Sequence, residues 1–345
     1  MSVIKKLSSS FYISEGYSRG MFSNFIQESI ALPNEFISYL KEPKCNNKEF
    51  DELIKENSLL TINPLNIFSY DWDSFSHITN VLVEGKHSVQ MVNSILEACL
   101  VQSITQIFGQ GNLDLICENI LRYSSCSLTS IDCVFFNQSN DEQALLENLN
   151  KLFSNPLIKT IILIGSSSKL SPMMDESQNF ISYENDFFEF PKVDVLTSKE
   201  LIHESQNHNP YFNRKLYIGS DGELKNAPEC EEVYGNINLL KSGEELKQIV
   251  STAEFQKYWH IKPDMIDVTK DNEFRYMSID NRIPYQRQDG SWYHKEEPNY
   301  NPYIAKWKSE EGYKTLAECG VISNEKGFSI DHKKIEEINK ELWGE

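Results

Sequence analysis

Strand-like and helix-like segments alternate between Ile78 and Gly165, and this alternation limits the possible folds more than any other feature of the sequence. ITNVLVE, SITQIFG, SIDCVFF and KTIILIG are rich in β-branched and aromatic residues, and amphipathic segments such as HSVQMVNSILEACL separate them. Because β-α-β units make neighbouring strands parallel, this spacing predicts a parallel sheet. About four strands are too few for a closed eight-stranded barrel, so an incomplete barrel or an open sheet is expected.

The N-terminal segment predicts a small unit of another kind. FYIS and FSNFIQ are expected to be short strands on either side of the turn EGYSRG. ALPNEFISYLK is expected to be a helix with Pro33 near its first turn, and NNKEFDELIKEN a second helix that leads into the strand LLTI. Strands, two helices and a return strand within about sixty residues indicate a winged-helix-like module.

Composition excludes several classes of protein. The net charge of −18 disfavours a duplex nucleic-acid binder, and no apolar run approaches the length of a membrane span. The acidity suits solubility or, alternatively, attraction of a basic partner. The seven cysteines are scattered and odd in number, and the N-terminus has no long apolar core. These features predict reduced thiols in a cytoplasmic protein without a secretory signal.

The segment VTKDNEFRYMSIDNR has the spacing of a metal-binding loop without its ligands. Thr269, Asn272 and Ser278 stand where C-x2-C-x5-C would place thiolates. A radical-generating cluster would also need three closely spaced cysteines after the first barrel strand, and EGKHSVQ at that place has none. Neither an iron–sulfur cluster nor S-adenosylmethionine chemistry is therefore expected, and we predict no metal.

Longer segments around this loop carry a family resemblance. YFNRKLYIGSDGELKNAPECEEVYGNI, NPYIAKW and EGYKTLAECGVI resemble the C-terminal half of the SPASM peptide maturases of grasp-with-spasm systems. The resemblance is dense over residues 209–322 and fainter, though co-linear, through the earlier parts. It implies cluster cysteines at the positions of Thr269, Asn272, Ser278 and Pro298, with only Cys230 retained. Since a cluster needs about four thiolates, this chain is interpreted as a cluster-free relative.

Thr, Asn and Ser suggest how the loop keeps its path without iron. They are poor iron–sulfur or zinc ligands, but their side chains readily form hydrogen bonds with nearby backbone. We therefore predict that such bonds hold the loop, helped by charge pairs of Glu273 and Arg275.

The expected fold class is α/β with three parts. Residues 1–68 form the winged-helix-like unit, residues 69–208 a partial parallel β/α barrel, and residues 209–345 an irregular SPASM-like domain without cluster ligands. The resemblance implies that the barrel is a degenerate relative of those of radical S-adenosylmethionine enzymes.

The function implied by the resemblance is maturation of a ribosomally synthesised and modified peptide (RiPP). The expected partners are the precursor peptide and an ATP-grasp ligase, and the expected role is non-redox binding. Winged-helix modules in such systems often capture the leader peptide as an added strand; a unit that only packs on its neighbour is the alternative. The aromatic residues Trp292, Tyr293, Tyr300 and Tyr303 could line a peptide groove or form a core.

Two rival functions belong to other classes. A peptide-modifying enzyme could use acid–base groups, for which the candidates are Asp71, Asp73, Asp280 and His294. A structural dimerisation module would need no peptide site. A phosphate site at Gly109 and Gly111 or in IGSSSK, and a zinc site built from Cys230 and sequence-distant histidines (His203, His208, His260 and His294), have weaker support, because their spacing matches no complete motif.

Overall fold

A computed structural model describes residues 6–7, 11–24, 29–41, 48–56, 60–61, 75–108, 113–136, 142–165, 179–183 and 198–344. The chain divides into two compact units. The first unit comprises residues 1–72, 193–211 and 259–345, and the second comprises residues 73–192 and 212–258. The division into three parts that the sequence suggests stays a prediction.

The elements are numbered in chain order. The strands are β1 (Lys6–Leu7), β2 (Phe11–Glu15), β3 (Gly20–Asn24), β4 (Ser29–Leu32), β5 (Leu60–Thr61), β6 (Asn80–Glu84), β7 (Ser103–Phe108), β8 (Ser130–Phe136), β9 (Ile158–Ile164), β10 (Asn179–Tyr183), β11 (Lys215–Ile218), β12 (Leu224–Lys225), β13 (Pro284–Gln286), β14 (Trp292–His294), β15 (Tyr300–Asn301), β16 (Lys306–Trp307), β17 (Val321–Asn324) and β18 (Gly327–Ile330). The helices are α1 (Asn34–Lys41), α2 (Lys48–Glu56), α3 (Val89–Ala98), α4 (Leu113–Ile120), α5 (Glu142–Phe153), α6 (Lys199–Asn207), α7 (Gly243–Val250) and α8 (His332–Trp343). No helix in the described part of the chain is both long and apolar enough to cross a bilayer.

The second unit is built on a seven-stranded sheet with the order β10-β9-β8-β7-β6-β11-β12. All neighbouring strands are parallel except β11 and β12, which are antiparallel. This confirms a mixed α/β fold with a mostly parallel sheet. That the sheet curves into a partial barrel stays a prediction.

Helix α3 shows how the sequence pattern builds this unit. The Ser88 hydroxyl caps its first turn by accepting a hydrogen bond from the Met91 amide. Val92, Ile95 and Leu96 are fully buried on one face, as their spacing predicts. The helix ends at Ala98, and Leu100 then adopts a positive φ of 54°. The turn leads into Val101 and β7, and the helix buries the face that its spacing predicts.

The first unit contains the three-stranded antiparallel sheet β2-β3-β4, and both of its faces are covered. On one face, Phe22 packs with Phe36 and Leu40 of α1. On the other face, Met21 packs with Phe274 and Met277 of the C-terminal segment. The sheet therefore lies between two hydrophobic clusters of this unit.

The start of α1 corrects one expectation. The sequence predicts a helix from Ala31, but α1 begins at Asn34, and Ala31 and Leu32 belong to β4. The physical reason is Pro33, which disfavours helical backbone at the preceding residue and so extends Leu32. The structure thus adds a strand to this sheet that the sequence reading missed.

Candidate functional site

The loop Val268–Arg282 keeps its path through hydrogen bonds of the predicted kind at two of three positions. The Asn272 Oδ1 accepts from the Phe274 amide at 2.8 Å, and the Ser278 hydroxyl donates to the Phe274 carbonyl at 3.0 Å. Thr269 differs, because its hydroxyl is buried and finds no hydrogen-bond partner among the described residues. Side-chain-to-backbone bonding is therefore confirmed for Asn272 and Ser278 only.

A buried carboxylate fixes the middle of this loop. The Glu273 side chain is fully buried, and its Oε1 accepts from Arg19 Nε at 2.7 Å and from the Tyr300 hydroxyl. Burial raises the pKa of Glu273, although the Arg19 guanidinium opposes this shift. Burial also raises the pKa of Tyr300, and the neighbouring carboxylate adds to the effect. The predicted charge pair of Glu273 is confirmed, and it joins the loop to the turn between β2 and β3.

Arg275 makes the second link between the loop and β2. Its Nε donates to Asp264 Oδ1 at 2.9 Å, and its Nη1 donates to the Asn272 carbonyl at 3.1 Å and to the Glu15 carbonyl. In addition, the Tyr17 amide donates to the Asp271 carbonyl at 2.8 Å. The loop is thus held by ion pairs and backbone bonds.

The other two positions that the resemblance implies for cluster cysteines, Cys230 and Pro298, belong to different units. Cys230 belongs to the second unit, where burial raises the pKa of its thiol to about 11. Pro298 belongs to the first unit and is half-buried. Among the residues that the structure describes, no group of three or more His, Cys, Asp and Glu side chains could hold a metal ion. That the chain binds no iron–sulfur cluster stays a prediction.

Asp280 and His294, two of the acid–base candidates, lie side by side. His294 Nδ1 is 3.1 Å from the Ile283 carbonyl, which can only accept, so Nδ1 carries a proton. Its Nε2 lies 3.4 Å from Asp280 Oδ2, and Arg282 Nη2 lies 2.6 Å from the same oxygen.

The electrostatics of this group favour an ionised aspartate. Burial opposes ionisation of Asp280, but the Arg282 guanidinium and the His294 ring lower its pKa to about 2. Burial lowers the pKa of His294, against the pull of Asp280. An aspartate already bound by arginine suits a fixed charge better than a proton acceptor. A catalytic role for the pair stays a prediction, and Asp71, Asp73, Gly109, Gly111 and residues 166–169 lie outside the described residues.

Replacing Asp280 by asparagine is expected to make the first unit less acid-sensitive. A depressed aspartate pKa contributes stability above its ordinary value near 4, and this contribution disappears as the pH falls to about 2. The variant should therefore be less stable than wild type by roughly 2 kcal/mol at pH 7, with a much smaller difference near pH 2.5. Urea unfolding followed by tryptophan fluorescence measures this, with the exposed Glu311→Gln as control. An equal difference at both pH values contradicts the assignment.

The predicted aromatic binding residues are mostly interior. Tyr293, Tyr300 and Tyr303 are buried, whereas Trp292 is half-buried. The Tyr303 hydroxyl donates to Asp271 Oδ2 at 2.6 Å, just as that of Tyr300 donates to Glu273. The three tyrosines thus pack the first unit, and a peptide groove along them stays a prediction.

Among the described residues, no strand pairs with the outer edge of β4, and no sequence pattern indicates this edge. The Gly16 amide donates to the Arg19 carbonyl at 2.9 Å, and the alternation of an antiparallel ladder then turns the backbone of Met21 toward β2. Consequently Ile30 and Leu32 pair with β3, and Ser29 and Ala31 direct their N–H and C=O groups outward. Within the described part of the chain, no backbone partner pairs with this outward edge.

The two edges of this sheet differ. At β2 the outward Glu15 carbonyl accepts from Arg275. At β4 the outward groups of Ser29 and Ala31 lack such a partner in the described residues, and the Ile30 side chain is 51% exposed. Strand β4 is therefore the edge to which a further strand can be added.

Comparisons with known proteins give little further guidance. No family model and no curated protein matches the sequence. Among solved structures, the crystal structure of Streptococcus suis SuiB bound to the precursor peptide SuiA is similar with a TM-score of 0.28 and 10% sequence identity. The match covers 79% of this chain and 94% of that chain.

Proposed function

We propose that the chain is an iron-free component of a RiPP maturation system that binds the precursor peptide along β4 and acts beside an ATP-grasp ligase. The observation that carries the proposal is the open edge of β4, at Ser29 and Ala31. The sequence resemblance to SPASM maturases supplies the class of peptide and the ligase partner.

Edge pairing suits an extended peptide because main-chain hydrogen bonds give affinity without requiring a particular sequence. Ala31 offers one donor and one acceptor that point away from β3. The exposed side chain of Ile30, on the same face of the sheet as Phe22, offers an apolar contact to a peptide bound at this edge. The net charge of −18 favours a basic peptide segment during encounter.

The side chains at the former cluster positions support a non-redox role. Asn272 and Ser278 are engaged with the backbone of Phe274. Burial raises the pKa of the Cys230 thiol to about 11, and a single cysteine supplies only one of the roughly four thiolates that a cluster needs. Binding needs none of the sulfur ligands, and the proposed role is therefore to hold the peptide for a partner enzyme.

Replacing Ala31 by proline is expected to weaken precursor binding by about tenfold, because proline removes the outward N–H and its ring obstructs an added strand. The inward bonds of Ile30 and Leu32 to β3 are retained. The probe is a fluorescein-labelled candidate precursor peptide, chosen from the short open reading frames that neighbour the gene for this chain, and the measurement is fluorescence anisotropy with the purified protein.

Ala31→Val is the matched control, since it adds similar volume and keeps the N–H. It should bind within about threefold of wild type. The proposal is contradicted if both variants weaken precursor binding equally, or if the wild-type protein does not bind the precursor. A change in precursor mass on incubation with this chain alone would favour the acid–base enzyme, and a dimer without peptide binding would favour the structural module.

A further inference from the structure

A cavity of about 220 Å³ lies in the first unit between the end of β14 and strand β17. One of its walls is apolar and is formed by Pro298, Leu316, Val321 and Ile322. Leu316 and Val321 are buried, whereas Ile322 is 52% exposed. A large exposed aliphatic side chain beside a cavity marks a surface on which an apolar group can be buried.

The cations on the rim of this cavity are already engaged. The Arg282 guanidinium donates to both oxygens of Asp280 and to the Glu296 carbonyl. The Lys295 ammonium lies 3.7 Å from the centre of the Tyr285 ring. Neither group is free to bind an anion in the cavity without giving up these contacts.

The carboxylates on the rim, unlike the cations, are not engaged by charged partners among the described residues. Glu296 and Glu297 are exposed, and across the described ranges neither makes an ion pair with a cation. Glu297 Oε1 accepts from the Leu316 amide at 2.6 Å, which places its carboxylate beside the apolar wall. Because Arg282 is already paired, the charges of the two glutamates outweigh the single charge of Lys295, so the net charge at the rim is negative and favours a cationic group.

Two strand edges border the same cavity. The two-residue turn of the β17–β18 hairpin pairs Asn324 with Gly327, so the backbone of Ser323 points away from β18. In the β13–β14 hairpin, the Arg287 amide donates to the Ser291 carbonyl, and the alternation turns the backbone of His294 away from β13. His294 and Ser323 both line the cavity. Their outward N–H and C=O groups are suited to an extended chain.

We propose that this groove, defined by Glu296, Glu297, Leu316, Val321, Ile322 and Ser323, binds an extended peptide segment. A branched aliphatic side chain enters the cavity, and a flanking lysine or arginine meets Glu296 and Glu297. The inference deepens the proposed function and rests on it for the identity of the ligand as a peptide, but its residues are distinct from β4.

The probe is acetyl-Lys-Leu-Lys-amide, titrated to about 10 mM into protein with ¹³C-labelled Leu, Val and Ile methyl groups. The methyl signals of Leu316, Val321 and Ile322 are expected to shift, and those of Leu246 and Val250 in the second unit are not. Acetyl-Lys-Ser-Lys-amide and acetyl-Glu-Leu-Glu-amide should each bind at least about tenfold more weakly. Absence of shifts, or equal binding of all three peptides, overturns the inference.

Ala317→Trp tests the cavity directly. Ala317 is exposed and lines the cavity, so an indole there fills the space without replacing a core residue. Binding of the probe should fall by about tenfold or more, while the control Ala317→Ser retains it. Retention of binding by Ala317→Trp overturns the inference.

Ala31→Pro separates this inference from the proposed function. The variant should leave probe binding unchanged even though it weakens precursor binding at β4. Loss of the probe shifts in Ala31→Pro would assign the probe to β4 and overturn the groove. If wild type binds the probe but not the precursor, the groove stands and the proposed function fails.

Discussion

Replacing Arg287 by methionine is expected to lower the free energy of unfolding of the first unit by about 3–5 kcal/mol, because it leaves the buried Asp267 carboxylate without its guanidinium partner. The Arg287 side chain is 4% exposed, and its Nη1 lies 2.5 Å from Asp267 Oδ2. The guanidinium also donates to the Asn324 carbonyl at 2.6 Å and to the Ser291 hydroxyl at 2.9 Å. Within the described part of the chain, the variant leaves Asp267 with the half-exposed Lys270 as its one charged partner.

Tryptophan fluorescence in urea reports on this unit, because it contains the four tryptophans that the structure describes, Trp259, Trp292, Trp307 and Trp343. Arg282→Met is the control, since its ion pair with Asp280 is more exposed; it should cost about 2 kcal/mol at most, as for Asp280→Asn. The double variant Arg287→Met/Asp267→Leu should be more stable than Arg287→Met, because it also removes the stranded carboxylate. A loss below about 1 kcal/mol in the single variant contradicts the buried pair as a stabilising element.

The sequence was most informative where structure is local. The apolar spacing in α3 predicts Val92, Ile95 and Leu96 as its buried face, and the structure agrees. Alternating strands and helices from β6 to β9 likewise predict parallel pairing, because the helix between successive strands carries the chain back across the sheet. In both cases the signal lies in residues that are near one another in the sequence.

Pairings between distant segments could not be predicted. Strand β11 joins the central sheet by parallel pairing with β6. Its four residues lie in a part of the sequence that shows no regular hydrophobic pattern. Strand β4 was missed because Pro33 also fits a helix start. Short strands of this kind are fixed by their neighbours, since their own residues carry little periodic signal.

The candidate site shows the same limit. Thr269, Asn272 and Ser278 predict a polar loop without thiolates, and two of them form the expected local bonds. The partner of Glu273 is Arg19, which lies 254 positions away and carries no sequence signal that connects it to the loop. The adjacency of Asp280 and His294 likewise depends on the β13–β14 hairpin, which brings Pro284 opposite His294.

Replacing Glu273 by alanine is expected to lower the free energy of unfolding of the first unit by about 3 kcal/mol, because one carboxylate oxygen accepts from two donors. The Arg19 guanidinium and the buried Tyr300 hydroxyl both donate to Oε1, and alanine leaves both without this acceptor. Part of the loss is offset, since the carboxylate itself is costly to bury, as the raised pKa of Glu273 indicates.

Glu273→Gln separates the two contributions. Its amide oxygen can accept from Arg19 and Tyr300 without the charge, so it should cost only about 1 kcal/mol. Hydrogen exchange at the Tyr17 amide, which donates to the Asp271 carbonyl, should accelerate in Glu273→Ala and much less in Glu273→Gln. Unchanged exchange and stability in Glu273→Ala would mean that the contacts of Asp271, Asn272, Arg275 and Ser278 hold the loop without the carboxylate. The expected result instead makes the buried carboxylate the group that binds this loop to the sheet that carries β4.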